Sequence, residues 1–61
     1  METSGKQYIV TLRVARPETK TLDAPVTIAW TDDLQKAVMI TAALLNIDDV
    51  NLYEYKEVIL N

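Results

Sequence analysis

Apolar and polar side chains alternate over the first stretch of the chain that has a regular pattern. In QYIVTLRVA, residues 7–15, one face would carry Tyr8, Val10, Leu12 and Val14, and the other face Ile9, Thr11 and Arg13. A period of two residues, with several β-branched side chains, is typical of a half-buried strand. We therefore predict a first strand over residues 7–15.

A turn and a second strand follow. RPETK, residues 16–20, favours a chain reversal because Pro17 fixes its own φ and disfavours helical geometry at Arg16. In TLDAPVTIAW, residues 21–30, apolar positions alternate again up to Trp30, but Pro25 has no backbone N–H to donate to a neighbouring strand. We therefore predict a second strand at an edge of the sheet.

The next stretch has the composition of a helix. Thr31 or Asp32 is a suitable N-cap, and Asp32 followed by Gln35 is a variant of the capping box. DLQKAVMITAALLN, residues 33–46, contains good helix formers and neither Gly nor Pro, and Asn46 is a suitable C-terminal stop. After a turn, LYEYKEVIL, residues 52–60, predicts a third strand.

These elements predict one α+β domain over residues 7–61, in the order ββαβ, after a disordered lead over residues 1–6. If the last strand lies beside the first, the result is a three-stranded antiparallel sheet of order 2-1-3 with the helix packed on one face. A chain this short buries only roughly 60% of its unfolded surface. Because it has no cysteine for a disulfide, self-association or docking on a larger partner is the remaining support.

The helix is apolar on more than one side. A helical wheel predicts that one side covers the sheet with Leu34, Ala37, Val38, Thr41, Leu44 and Leu45. Met39, Ile40 and Ala43 fall largely opposite. Two interpretations of these three residues stay open: loops partly cover them, or they form an outer face that binds a partner or a second copy.

The third strand has no clean apolar face. Tyr53, Tyr55 and Ile59 share one side, whereas Leu52, Val58 and Leu60 share the other. Either a bulge near Lys56 or Glu57 turns both tyrosines, Val58 and Leu60 to the core together, or one set faces outward. Tyrosine, with its large area and polar tip, is a common interface anchor.

The edge of this strand also favours association. An unpaired edge presents free N–H and C=O groups, and Glu54, Lys56 and Glu57 protect only its middle. We expect its last residues to be pinned by the first strand on the inner side and by another polypeptide at the outer edge or face. The candidate protein-binding residues are therefore Met39, Ile40, Ala43, Tyr53, Tyr55, Val58, Ile59 and Leu60.

Composition leaves little catalytic or metal chemistry. The chain has no His and no Cys, and its only serine, Ser4, falls in the predicted lead. The sequence therefore lacks the side chains that complete a nucleophilic triad, that perform thiol chemistry or that bind metals in the commonest sites. The carboxylate pairs at residues 32–33 and 48–49 are typical of helix caps and turns. We expect no enzymatic activity, no cofactor and no metal.

Charge and hydropathy exclude further classes. A net charge of −3 with scattered bases lacks the positive footprint of a nucleic-acid binder. Arg13, Arg16 and Lys20 bracket the hairpin tip, where they either meet phosphate or an acidic protein, or form a solvated turn. No apolar run approaches the ~18 residues of a membrane span, and no signal-peptide pattern is visible. Since a cysteine-free chain suits a reducing compartment, we expect a cytoplasmic protein without nucleic-acid or membrane partners.

One longer stretch has a familiar layout. VTIAWTDDLQKAVMITAALLNIDDVNLYEY, residues 26–55, combines an edge strand, a Thr/Asp cap, a short Ala/Leu helix and a returning aromatic strand. In this arrangement the chain resembles tiny phage-encoded ββαβ proteins, notably podophage inhibitors of host RNA polymerase. Those inhibitors use arginines on the returning strand, where this chain offers only Lys56, so no binding residue is carried over.

These patterns lead to two hypotheses of function. The first is a small non-enzymatic modulator that binds a larger host protein of unknown identity, and the resemblance implies that its source is a phage or mobile element. The alternative is a self-associating assembly subunit, a homodimer through the third strand or the outer face of the helix.

Overall fold

A computed structural model describes residues 5–59 of the chain. Its strands are β1 Lys6–Arg13, β2 Ala15–Arg16, β3 Thr21–Leu22, β4 Val26–Thr31 and β5 Leu52–Ile59, and the helix α1 spans Leu34–Ile47 between β4 and β5. The predicted α+β class and the three-stranded antiparallel sheet are confirmed. The first strand begins at Lys6, so it includes a residue that the sequence assigned to a disordered lead, and residues 1–4 of that lead lie outside the described part.

The main sheet has the order β4-β1-β5, with β1 in the centre and antiparallel to both neighbours. The element order differs from ββαβ because the first and second predicted strands are each divided in two. The outer parts, β2 and β3, form a separate two-stranded sheet. At the division, the Asp23 carbonyl accepts from Arg13 Nε at 2.8 Å, and Asp23 N–H donates to the Val14 carbonyl at 2.8 Å.

Within the main sheet, β1 and β5 pair without interruption from Lys6 opposite Ile59 to Arg13 opposite Leu52. The bulge suggested near Lys56 or Glu57 is therefore absent from β5. A register shift occurs instead between β1 and β4, where Val10 opposes Ala29 but the next residue, Thr11, opposes Thr27. The extra residue is Ile28, in an edge strand that begins directly after Pro25, and bulges are common at the edges of sheets.

The helix is capped differently from the prediction. Asp33, in an extended conformation, is the N-cap, and its carboxylate accepts from Gln35 N–H at 2.9 Å. Thr31 lies one step further out, where its hydroxyl accepts from Asp33 N–H at 3.1 Å. The helix continues one residue past Asn46, and Asp48 is the C-cap. Thr31 and Asp33 thus each accept from the backbone N–H two residues further on, and the sequence motif alone did not show which residue is the cap.

The helix lies on the face of the sheet that carries Val10. Directly opposed residues share a face, so Val10 lies with Tyr55 on β5 and Ala29 on β4. Val10 and Ala37 of the helix are both completely buried. On the same face, Tyr53 donates its hydroxyl to Asp48 at the end of α1, over 2.7 Å. We call this the helix-side face.

The side of α1 that meets the sheet is rotated from the predicted one. Ala37 and Thr41 are buried and Ile40 and Leu44 are half-buried. Three residues that were expected to cover the sheet are exposed instead: Leu34, Val38 and Leu45. Ile40, which the helical wheel placed largely opposite the sheet, is half-buried, which fits the interpretation that it is partly covered. Small side chains at Ala37 and Thr41 let the helix axis approach the sheet closely, which moves the larger leucines to the flank.

The molecule is thin and elongated. Its extents are 51 × 22 × 11 Å and its radius of gyration is 13.5 Å, compared with roughly 10.5 Å for a compact chain of this length. The shortest extent fits one helix layer on one sheet layer, which pack about 10 Å apart. Within residues 5–59 there is no second helix to cover the other face of the sheet, which we call the open face.

Candidate functional site

The open face carries an apolar cluster at its β4 side. Trp30 lies directly opposite Ile9 of β1, and Ile9 lies directly opposite Lys56 of β5. Trp30 is 65% exposed although it is the largest side chain in the protein. An isolated exposed apolar residue is ordinary, but an aromatic side chain within a contiguous apolar patch is typical of an interaction surface.

The β4 bulge enlarges this cluster. Because two residues of β4 oppose the single residue Thr11, Ile28 joins Thr27 on the open face instead of turning under the helix. Ile28 is exposed and lies two residues from Trp30 on the same strand. We call Ile9, Ile28 and Trp30 the tryptophan patch.

Charged side chains of β5 border the tryptophan patch. Lys56 and Glu54 occupy the β5 row of the open face, opposite Ile9 and Thr11 respectively. Thr11 is buried in the central strand and donates its hydroxyl to the Glu54 carbonyl at 3.5 Å. An apolar centre with a charged border is the usual composition of a protein-binding surface.

The candidate residues on the helix do not form one surface. Met39 is 67% exposed and Ala43 is exposed, whereas Ile40 is half-buried. Met39 and Ala43 are four residues apart, so they are neighbours on the helix surface. Because Ile40 is half-buried, Met39 is the one large side chain of the trio that is exposed. This face of the helix is therefore a poorer candidate than the predicted trio.

The candidate residues on β5 are divided between the two faces of the sheet. Tyr53 and Tyr55 lie on the helix-side face, where Tyr53 is half-buried and Tyr55 is 43% exposed. Val58, opposite Gln7, lies on the open face and is half-buried, while Ile59 is exposed opposite Lys6. Leu60 lies outside the described residues. Val58 and Ile59 are thus paired with β1, as expected on the inner side.

Asp48 joins the end of the helix to the start of β5. Its carboxylate accepts from the Tyr53 hydroxyl at 2.7 Å, from Val50 N–H at 3.0 Å and from the Asn51 side-chain amide at 2.9 Å. Asn51 in turn accepts from Ala15 N–H at 2.9 Å. These hydrogen bonds lower the pKa of Asp48 to about 2, with the Tyr53 hydroxyl as the largest cause, and the same contact raises the pKa of Tyr53. The network fixes the position of β5 and has a structural role.

Two of the basic side chains at the hairpin tip already form hydrogen bonds within the hairpin. Arg16 forms a two-pronged ion pair with Asp23, with Nη2 at 2.8 Å and Nε at 3.1 Å from the carboxylate. The hydrogen bonds from Arg16 lower the pKa of the Asp23 carboxyl, and the same contact raises the pKa of Arg16. Arg13 is bound to a backbone carbonyl. Of the three bases at this tip, Arg16 and Arg13 therefore already have acceptors within the hairpin, which favours a solvated turn over a phosphate site.

The rest of the described chain offers little for small-molecule chemistry. Residues 5–59 form no pocket and contain no cluster of side chains with the composition of a metal site. That part of the chain also has no helix with the length and apolar character needed to cross a bilayer. Comparison with family models, with curated proteins and with solved structures finds no match.

Sequence reasoning overlooked the tryptophan patch. Val26, Ile28 and Trp30 were expected to alternate along an edge strand, and the pattern did not indicate which face they would occupy. The bulge changes that alternation, and Pro25, which signals an irregular strand start, was the only available sign of it. Which face the helix covers also depends on pairing across strands, so the exposure of Trp30 could not be read from β4 alone.

Proposed function

We propose that this protein is a non-enzymatic protein-binding module whose binding surface is the tryptophan patch on the open face of the sheet. The observation that carries the proposal is the exposure of Trp30 beside Ile9 and Ile28 on a sheet face that no helix between residues 5 and 59 covers. Tryptophan is enriched among the residues that dominate binding energy at protein interfaces. A sheet presents such side chains on a rigid support, which lowers the entropy lost on binding.

The partner that fits this patch is a larger protein with an apolar surface. Ile9, Ile28 and Trp30 carry no charge, so the centre of the partner's surface is apolar, and Lys56 and Glu54 at the border can meet charges of either sign. A modulator that occupies a surface of a host protein, as the phage-type resemblance implies, is the function class we favour. A cytoplasmic location belongs to the same proposal, since the cysteine-free sequence suits a reducing compartment.

A matched pair of variants tests the patch. Trp30 and Met39 have nearly equal exposure, 65% and 67%, but lie in different layers of the molecule. In capture experiments with immobilised protein, we expect Trp30→Ala to lose at least tenfold of the specifically bound partner, and Met39→Ala to keep it. Equal recovery with both variants would remove the tryptophan patch as the binding site.

A further inference from the structure

The outer edge of β5 is the longest straight strand edge in the described part of the chain. β5 has eight residues in unbroken register with β1. The opposite edge strand, β4, has six residues and contains the bulge at Ile28. Bulges disrupt strand pairing, whereas a straight edge presents a regular row of N–H and C=O groups. Between residues 5 and 59, β5 is therefore the edge best suited to accept another strand.

We propose that this strand is the β5 of a second copy, so that two chains pair antiparallel about a two-fold axis that passes through Tyr55. The axis is perpendicular to the sheet, so the open faces of the two copies lie on one side of the dimer and the helix-side faces on the other. Directly opposed residues share a face, and successive residues point to opposite faces. The two-fold axis must therefore place one residue of β5 opposite the same residue of the second copy. An axis midway between two successive residues would oppose side chains from different faces. The choice of register is thereby reduced to a few positions in the middle of β5.

Charge complementarity selects Tyr55 among these positions. In that register Glu54 lies opposite the partner's Lys56, and Lys56 opposite the partner's Glu54, so two opposite-charge pairs form on the open face. Leu52 then lies opposite the partner's Val58, which adds an apolar pair at each end. An axis through Glu54 would oppose two glutamates, and an axis through Lys56 would oppose two lysines. The charges that protect this edge against other strands are thus complementary to the charges of β5 in a second copy.

The helix flank provides a second reason. Leu34, Val38 and Leu45 are exposed along one side of α1. The connection β4–α1–β5 is a crossover between parallel strands, and such crossovers are right-handed. In a right-handed crossover this flank of α1 is the one turned toward β5. Since the two-fold keeps both helices on the same face, the two apolar flanks would face each other across the paired Tyr55 side chains.

The isolated chain exposes more surface than a compact monomer of the same mass. The accessible surface is 4617 Å², whereas a compact monomer of 6.9 kDa exposes roughly 4,000 Å². The excess of roughly 600 Å² follows from the thin, elongated shape. Pairing two thin molecules edge to edge would form a six-stranded sheet and bury part of that excess.

This dimer leaves the three residues of the tryptophan patch uncovered, although the charged residues at its border, Glu54 and Lys56, take part in the pairing. The patch lies at the β4 side of each sheet, so in the dimer it stays open at both outer ends, and the six-stranded sheet presents two copies of it on one face. The proposed function and the proposed dimer can therefore fail separately.

Sedimentation equilibrium of the purified chain, from micromolar to millimolar concentration, tests association without any foreign protein. We expect a reversible monomer–dimer equilibrium. The single variants Glu54→Lys and Lys56→Glu should each weaken the dimer by about tenfold or more, because two attractive pairs become repulsive. The double variant Glu54→Lys/Lys56→Glu should restore it. A monomer at every concentration, or a double variant as weak as the singles, would overturn the proposal, and far-UV circular dichroism checks that each variant is folded.

Cysteine scanning tests the register, and the chain has no native cysteine to interfere. In the proposed dimer, two residues at position 55 face each other within the distance that a disulfide spans. Under mild oxidation Tyr55→Cys should therefore form covalent dimers faster than Glu54→Cys or Lys56→Cys. Faster crosslinking at either of the other two positions would refute the register even if the protein dimerises. Loss of partner capture by Trp30→Ala bears only on the proposed function.

Discussion

Trp30 and Ile9 lie directly opposite each other on the face of the sheet that α1 leaves uncovered. The helix instead covers the other face of the same two strands, where Val10 of β1 lies opposite Ala29 of β4. The protein thus assigns its smaller side chains to the buried layer, where the helix approaches closely, and leaves its only tryptophan at the surface. This division explains why the buried core is small while a large apolar surface remains available.

The exposure of Trp30 leads to a direct spectroscopic prediction. Since Trp30 is the only tryptophan, its fluorescence reports on the patch without labelling. We expect acrylamide to quench it in the folded protein almost as efficiently as in the protein unfolded in urea. The quenching should not change over the concentration range in which β5-mediated dimers form, because Trp30 lies on the other edge strand, β4. Strong protection in the folded monomer would contradict the open face.

The small core predicts an unusual sensitivity at one position. Val10 is the only large side chain in the described part that is completely buried. We expect Val10→Ala to reduce the free energy of unfolding by on the order of 2 kcal/mol, because it removes buried methyl groups and leaves a cavity under the helix. A loss of that size is a large fraction of the stability of so small a domain.

Val50→Ala is the matched control for this measurement. Val50 lies 65% exposed in the turn after α1, so the same chemical change should alter the unfolding free energy by less than about 0.5 kcal/mol. Urea unfolding followed by circular dichroism gives both values. Equal losses at the two positions would show that Val10 is not the centre of the core.

The N-cap of α1 gives a second pair of variants. Asp33 accepts a hydrogen bond from Gln35 N–H, so Asp33→Ala should cost about 1 kcal/mol of unfolding free energy. The neighbouring Asp32 is exposed and was the residue favoured by the capping-box pattern. Asp32→Ala should leave stability nearly unchanged. The reverse order of effects would show that the helix begins one residue earlier.

Periodicity predicted the elements well where one residue pattern decides the structure. The alternation of Tyr8, Val10 and Leu12 required a strand, and these side chains do share the helix-side face. The helix was predicted within one or two residues because its stretch contains no Gly or Pro. Both are local properties, and a sequence presents them directly.

The features that the sequence did not predict depend on contacts between elements. The side of α1 that meets the sheet depends on packing, so Ala37 and Thr41 are buried while Leu34, Val38 and Leu45 are exposed. The bulge at Ile28 follows from the pairing of β4 with β1. Both features changed the candidate surface: Ile40 of the helix trio is half-buried, and the tryptophan patch appeared. Binding surfaces on small domains are what packing leaves over, and packing is not local.

The Asp48 network predicts a specific response to acid. The folded protein holds the pKa of Asp48 at about 2, below the value of about 3.9 for an unperturbed aspartate. Between these two values the unfolded chain binds more protons than the folded one. The stabilisation from Asp48 is therefore complete above about pH 4 and disappears as the pH falls toward about 2. Asp48→Asn should lower the melting temperature at pH 7 and reduce its fall between pH 4 and 2.

Asp49→Asn is the control for this pH dependence, since Asp49 is the exposed neighbour in the same turn. The informative quantity is the difference in melting temperature between wild type and variant across the pH range, because other carboxyls, including Asp23 beside Arg16, titrate in the same window. For Asp48→Asn this difference should shrink as the pH falls from 4 to 2, and for Asp49→Asn it should stay near zero. Tyr53→Phe, which removes the largest cause of the lowered pKa, should shift the acid response of Asp48 to higher pH. If the difference for Asp48→Asn were constant with pH, the carboxylate would not be the group that ties the helix end to β5.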